Sequence, residues 1–330
     1  LKVFEAALIP VTCYPGKAGF NPYPLFTVEA REEATGKLLA STRVVAPTST
    51  EMGCKNCHGG GWREDGVGGF TSATSRDILR VHDRINHTGL LAKAEAGHPV
   101  ICGSCHLDIA LGTKGDGKRL NLPTALHGWH ANYLTGRGAE ACAYCHPNNP
   151  QGPTRCLRGV HDERGLDCTS CHGTMEDHGL ALLKGELENG KAQAAPLMAR
   201  LAPRQAADIG QVKGRIPWVG EPDCLNCHAG FAPPSSDQAF NTWTKGPGGL
   251  YRIRTDETGK LRCPACHSSP HAVYPAREDS GYGKNRDNVQ PMQYQSEANP
   301  IGKNGNCKVC HGEDFTLAAS DAPHHPMGMR

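Results

Sequence analysis

The sequence is short of the residues that build a protein core. Leu, Ile, Val and Phe together fill 56 of its 330 positions, about 17%, a share at which a chain struggles to stay folded on its own side chains. Aromatic residues make up only 6%. Gly and Pro, at 40 and 24 residues, are in excess of ordinary usage, so long regular elements are not expected. A surplus of one charge is missing too: 35 Lys and Arg face 33 Asp and Glu, a net charge of +2. No basic patch or arm stands out, which argues against nucleic acid as a partner. No apolar run approaches the length of a membrane span. The chain opens at Leu1 in a β-like segment, the start expected once a leader has been removed. Ordering entropy has to be offset by burial of something apolar, and these side chains offer little of it. The missing material must come from outside the chain.

Cysteine and histidine are abundant, at 16 and 17. Fourteen cysteines fall into seven copies of Cys-x-x-Cys-His. These are Cys54–Cys57–His58, Cys102–Cys105–His106, Cys142–Cys145–His146, Cys168–Cys171–His172, Cys224–Cys227–His228, Cys263–Cys266–His267 and Cys307–Cys310–His311. The pattern reads as covalent attachment of haem c. Two thiols three positions apart reach the two vinyl groups of one porphyrin, and the adjacent His turns its imidazole to the iron. A zinc reading needs four ligands and so paired Cys-x-x-Cys units, whereas the copies are odd in number and each carries the His. A thioredoxin-like reading needs a βαβ context, and none is visible. Seven haems supply the missing apolar mass. Their fourteen propionates take the fully ionised, loaded chain to about −12.

Two cysteines remain, Cys13 and Cys156. Haem attachment of this kind takes place outside the cytoplasm, where disulfides persist, and a Cys13–Cys156 disulfide is the favoured reading. The alternative is a long-spaced haem motif from Cys156 to Cys171 and His172, which competes with Cys168 for the same histidine. Ten histidines lie outside the motifs, enough to give every iron a second ligand. His82 lies in a helix-like stretch, and His127 and His130 share a helix face at spacing i, i+3. His161 and His178 flank one motif closely and are expected to serve neighbouring haems, as is His271. Of the neighbours His324 and His325, His324 or the other completes the set. His87, at a helix end before Gly89, and His98, before Pro99, rank lower.

Residues 1–50 carry no motif. Leu25–Arg31 and Lys37–Val45, joined through Ala34-Thr-Gly, read as a β-hairpin, so this is a haem-free, β-rich segment. Residues 51–178 hold four motifs and 223–330 hold three, with a hairpin expected from Tyr251. Residues 179–222, rich in Ala, Leu and Lys over their first half, read as a helical spacer. The intervals between motifs are irregular, which excludes a simple repeat array. The expected fold is mostly irregular coil with short α-helices packed around a chain of seven haems, preceded by the small hairpin-containing segment.

On its seven motifs and the interspersed histidines, residues 54 to about 325 resemble the multihaem c-type cytochromes of metal-respiring bacteria, some of which are secreted and polymerise into conductive filaments. The resemblance implies bis-histidine, low-potential haems in stacked and T-shaped pairs. It also implies a location outside the cell or at its surface, with the periplasm as alternative. The partners it implies are other redox proteins or further copies of the chain. The function expected is electron transfer through seven saturated irons and not catalysis. The alternative is a multihaem reductase of a nitrogen or sulfur oxyanion, which needs one iron with an open sixth position beside acid–base residues.

Overall fold

Apolar residues alternate with polar ones from Phe26 on in Leu25–Arg31, which forms β1, and apolar residues flank Ser-Thr-Arg in Leu38–Val45, which forms β2. The two strands pair antiparallel, from Leu25 opposite Val45 to Arg31 opposite Leu38, with a register shift at Ala30–Arg31. The turn between them uses Gly36 at a φ of 70°, which only glycine adopts without cost. Val28 and Leu39 on the hairpin are exposed. The computed structural model describes residues 25–45, 52–59, 71–109, 112–146, 156–157, 160–244 and 270–271. The expected hairpin from Tyr251, the Cys263 and Cys307 motifs, Cys13, His324 and His325 lie outside the described residues.

Nine helices follow among the described residues: α1 (Ser72–Asn86), α2 (Leu90–Glu95), α3 (Leu122–His130), α4 (Glu140–Ala143), α5 (Val160–Glu163), α6 (Cys168–His172), α7 (Met175–Glu188), α8 (Ala194–Met198) and α9 (Cys224–Cys227). Local chemistry sets their starts. Thr71 Oγ1 accepts the Thr74 N–H and opens α1, and Asn121 Oδ1 accepts the Thr124 N–H and opens α3. Asp167 forms a reciprocal capping box with Ser170 at the head of α6. Each such cap satisfies an amide that would otherwise lack a partner. α1 stops at His87, which takes the left-handed conformation (φ 52°). No helix among the described residues is long and apolar enough to cross a membrane.

α7 is the centre of the molecule. Its Leu180, Ala181 and Leu183 are fully buried, together with Ala131, Ala194 and Val212. α3 lies against it because two glycines let the helices approach. A Cβ on Gly128 would meet Leu183 side-chain atoms at 2.8 Å, and one on Gly179 would meet the Ala131 Cβ at 3.0 Å. α7 also buries Glu176, Asp177 and Glu186. Their carboxylates tie down surrounding loops: Asp177 accepts the N–H groups of Arg204, Gln205 and Ala206, and Glu186 that of Asn121. Residues 179–222 are therefore no spacer, and no boundary falls at 178, since α7 runs through it. A helix buried around its whole circumference has no amphipathic stripe to betray it.

Candidate functional site

All five described motifs fold into the same turn. In each, the amide of the histidine donates to the carbonyl of the first cysteine four residues back; in the Cys54, Cys102, Cys142 and Cys224 motifs this bond measures 2.9, 2.9, 2.8 and 2.9 Å. In the Cys168 motif the turn is α6 itself. A helical turn brings the cysteines at i and i+3 to one face, which is the local requirement for gripping one flat ligand at two points.

Four of the five described motif histidines are opposed by a histidine ring from elsewhere in the chain. Ring centroids lie 6.3 Å apart for His58 and His130, 6.1 Å for His146 and His127, 5.9 Å for His172 and His271, and 6.5 Å for His228 and His161. The fifth, His106, lies within electrostatic reach of His82. A metal held between two imidazole nitrogens at about 2.0 Å puts the ring centroids about 6.2 Å apart. The four measured pairs sit around that value. Two pairs are edge-to-face (88° and 69°) and two nearly parallel (9° and 19°). Among the described residues no three or more His, Cys, Asp or Glu side chains converge on a common point; the histidines meet in twos.

The hydrogen bonds of these rings say which nitrogen is free. Nδ1 of His106, His127, His130 and His228 faces the carbonyls of Leu120, Pro123, Leu126 and Ala232 at 2.8, 2.8, 2.8 and 3.2 Å. A carbonyl only accepts, so the proton sits on Nδ1 and the lone pair is left on Nε2. At His58 the acceptor is Asp77 Oδ2, 3.0 Å away. That bond holds the Asp77 carboxyl below its usual range. At His82 it is Thr88 Oγ1 at 3.0 Å, whose own hydrogen goes to Asp83 Oδ1 at 2.6 Å. Six of the ten paired rings thus have the tautomer and anchoring of a metal-ligating histidine. Burial lowers the pKa of His82, His130, His146, His161 and His271, and that of His127 to about 4. It lowers His172 well below the ordinary value. A neutral imidazole is the form that binds metal.

His172 differs. Its Nδ1 meets Arg215 Nη1 at 3.1 Å, and a guanidinium has only donors. His178 also stands apart. Its ring lies edge-on to His127 at 4.6 Å and to His172 at 5.6 Å, and its buried Nδ1 has no hydrogen-bond partner. Both neighbours already face other rings, so no described motif histidine is left for His178. His87 and His98 are exposed.

The motifs also adjoin one another. α1 carries both Asp77, which holds His58, and His82, which feels the charge of His106. α3 carries His130 for His58 and His127 for His146. The Gly53 N–H donates to the Cys145 carbonyl at 2.8 Å. Burial and then the thiols of Cys54 and Cys57 push Cys145 up to about 11. Cys142 is hydrogen-bonded to Cys168, which with burial pushes it up, and Cys171 is raised by burial and then by Cys227. In space the motifs therefore run Cys102, Cys54, Cys142, Cys168, Cys224. Cys156 is a free, half-buried thiol beside Cys168, pushed up to about 11 chiefly by burial. The residue after it, Leu157, bridges to His271.

Sequence reading finds the five described motif histidines and the five histidines that face them. It misses Asp77, Thr88 and Arg215, which hold those rings. No spacing marks these three, because each is brought to its histidine by the fold. Compared with known protein families, curated proteins and solved structures, the chain matches none.

Proposed function

We propose that the chain is an electron-transfer protein that holds seven c-type haems. The observation that carries the reading is the set of four histidine pairs spaced to admit one metal between them, beside five motifs of one turn geometry. At the described sites the cysteine pairs would anchor the porphyrins. The histidines that would hold the irons are His58 with His130, His106 with His82, His146 with His127, His172 with His271, and His228 with His161. Haem, when bound, supplies a one-electron iron couple tuned by its axial ligands and surroundings.

The chain's own residues bind, orient and shield. The carbonyls of Leu120, Pro123, Leu126 and Ala232 anchor four rings by Nδ1 and leave Nε2 as the nitrogen free to bind metal. The second histidine at each described site closes the position that a reductase must keep open. The succession of adjoining motifs from Cys102 to Cys224 makes a connected path. The setting proposed is the cell exterior or surface, with the periplasm as alternative. The partners would be other redox proteins or further copies of the chain.

The test is the chain matured in a host that attaches haem c. Intact mass should show seven haems, the oxidised spectrum should be low-spin throughout, and carbon monoxide should leave the reduced spectrum unchanged. A chain without covalent haem, or a clear high-spin signal in the oxidised protein, refutes the reading.

A further inference from the structure

We infer that α1 makes the Cys102–Cys54 end of the described path its donor end. A carboxylate on this helix backs one histidine at each of the two sites, Asp77 at His58 and Asp83, through Thr88, at His82. Both reduction potentials are thereby held below that of the adjoining Cys142 site. The inference rests on the haem reading above.

At the Cys54 site the carboxylate acts directly. Asp77 Oδ2 accepts the His58 Nδ1–H at 3.0 Å and the Gly59 N–H at 3.3 Å, so the ring keeps Nε2 for a metal. A carboxylate there draws the shared proton outward and makes the ring a more basic ligand, which favours the more highly charged ferric iron. Its negative charge acts in the same sense. Two cations stand near on α1. Arg80 lies 3.8 Å from Asp77 Oδ1 with its side chain 67% exposed, so its offset is weak. Arg76 is turned to Glu95.

At the Cys102 site the carboxylate acts through a hydroxyl. The Thr88 hydroxyl donates to Asp83 Oδ1 at 2.6 Å, which leaves its oxygen to accept the His82 Nδ1–H at 3.0 Å. The N–H groups of Leu90 and Leu91, at the head of α2, hold Asp83 at 2.8 and 2.9 Å. Hydrogen bonds in such a chain polarise one another, so Thr88 hands on part of what Asp77 delivers whole. Arg119, the cation within reach of His82, is paired with Asp116.

At the Cys142 site His127 has neither kind of backing. Its Nδ1 faces the neutral Pro123 carbonyl at 2.8 Å. It shares the α7 side of α3 with Thr124 and Ala131, both fully buried, and the His178 ring lies 4.6 Å away. A surround poor in water penalises the more charged ferric state. Both features raise this potential relative to the other two. An electron delivered at the α1 end then runs downhill along α3, whose His130 and His127 belong to successive sites.

Asp77 and Thr88 are positioning residues that act through a histidine, and the readout is a potential. The fully loaded parent and the variants Asp77→Asn, Thr88→Val and His127→Met are titrated spectroelectrochemically, after haem count and low-spin spectrum are checked. If those fail in the parent, the electron-transfer reading fails; if they hold, the titration judges this inference alone. His127→Met exchanges an imidazole for a thioether, which raises the potential and marks the Cys142 component. Asp77→Asn is expected to raise one component at least threefold in the one-electron equilibrium, about 28 mV. Thr88→Val should raise a second at least twofold, about 18 mV. In the parent both must lie below the marked component. A smaller shift, a shift of opposite sign, or either component lying above the marked one overturns the inference. Where Asp77→Asn fails to load, Arg80→Gln decides in its place: losing the countercharge must lower one component, and no change or a rise overturns it. Where His127→Met fails to load, His127→Ala marks the site by its high-spin band.

Discussion

Replacing His130 by Ala removes one ring of the pair at the Cys54 motif and touches little else. His130 makes a single described hydrogen bond, from Nδ1 to the Leu126 carbonyl one turn back on α3. Losing it costs about 0.5–1.5 kcal/mol, and the better helix propensity of Ala returns a few tenths. That is small beside a domain stability of about 5–15 kcal/mol, so the chain should fold and load. The spectral consequence is discrete. With His58 alone on its iron, about one-seventh of the haem becomes five-coordinate and high-spin. Electron paramagnetic resonance and the charge-transfer region of the oxidised spectrum measure that fraction, and carbon monoxide should bind it on reduction. His87→Ala is the control, since His87 is exposed at the end of α1 and should leave every site low-spin. A fully low-spin His130→Ala protein, or a high-spin His87→Ala protein, would refute the pairing read from the ring separations.

His161→Ala should produce the same one-site change at the Cys224 motif, scored by the same resonance spectrum. Gly185→Ala puts a methyl against the Arg215 carbonyl. It should destabilise by about 1–3 kcal/mol, lowering the urea midpoint. Cys156→Ser should retain seven haems by intact mass; six would establish the long-spaced motif from Cys156 in place of Cys168.

The motifs are legible in the sequence because each is a fixed pattern of five consecutive residues, and the turn that the described ones adopt is local to it. The hairpin is legible because its alternation and its Gly36 turn are local too. Pairing is not local. His58 meets His130, and His172 meets His271, across most of a domain's length of chain, and nothing near either residue names its partner. Closeness in sequence misleads at His178, which flanks the Cys168 motif yet lies edge-on between His127 and His172. The segment from 179 onward reads as a spacer because it lacks motifs. Its burial shows only when α3, Leu201 and Val212 close around it.

That burial also governs the sites. α3 sends His127 and His130 to two different motifs, three residues apart on one rigid element. The place of α3 is set by how closely it can approach α7, through Gly128 against Leu183 and Gly179 against Ala131. Arg215 is held by the same helix, through Ala181 and Gly185. Among the described residues the buried apolar side chains thus gather where one helix crossing places the paired histidines of two motifs and Arg215 beside His172. A side chain added at Gly128 or Gly179 would push α3 outward and move two pairs together. Substitutions at the exposed hairpin residues Val28 and Leu39 should leave all of them in place. Under the proposed function, the packing that remains would fix the distances between sites.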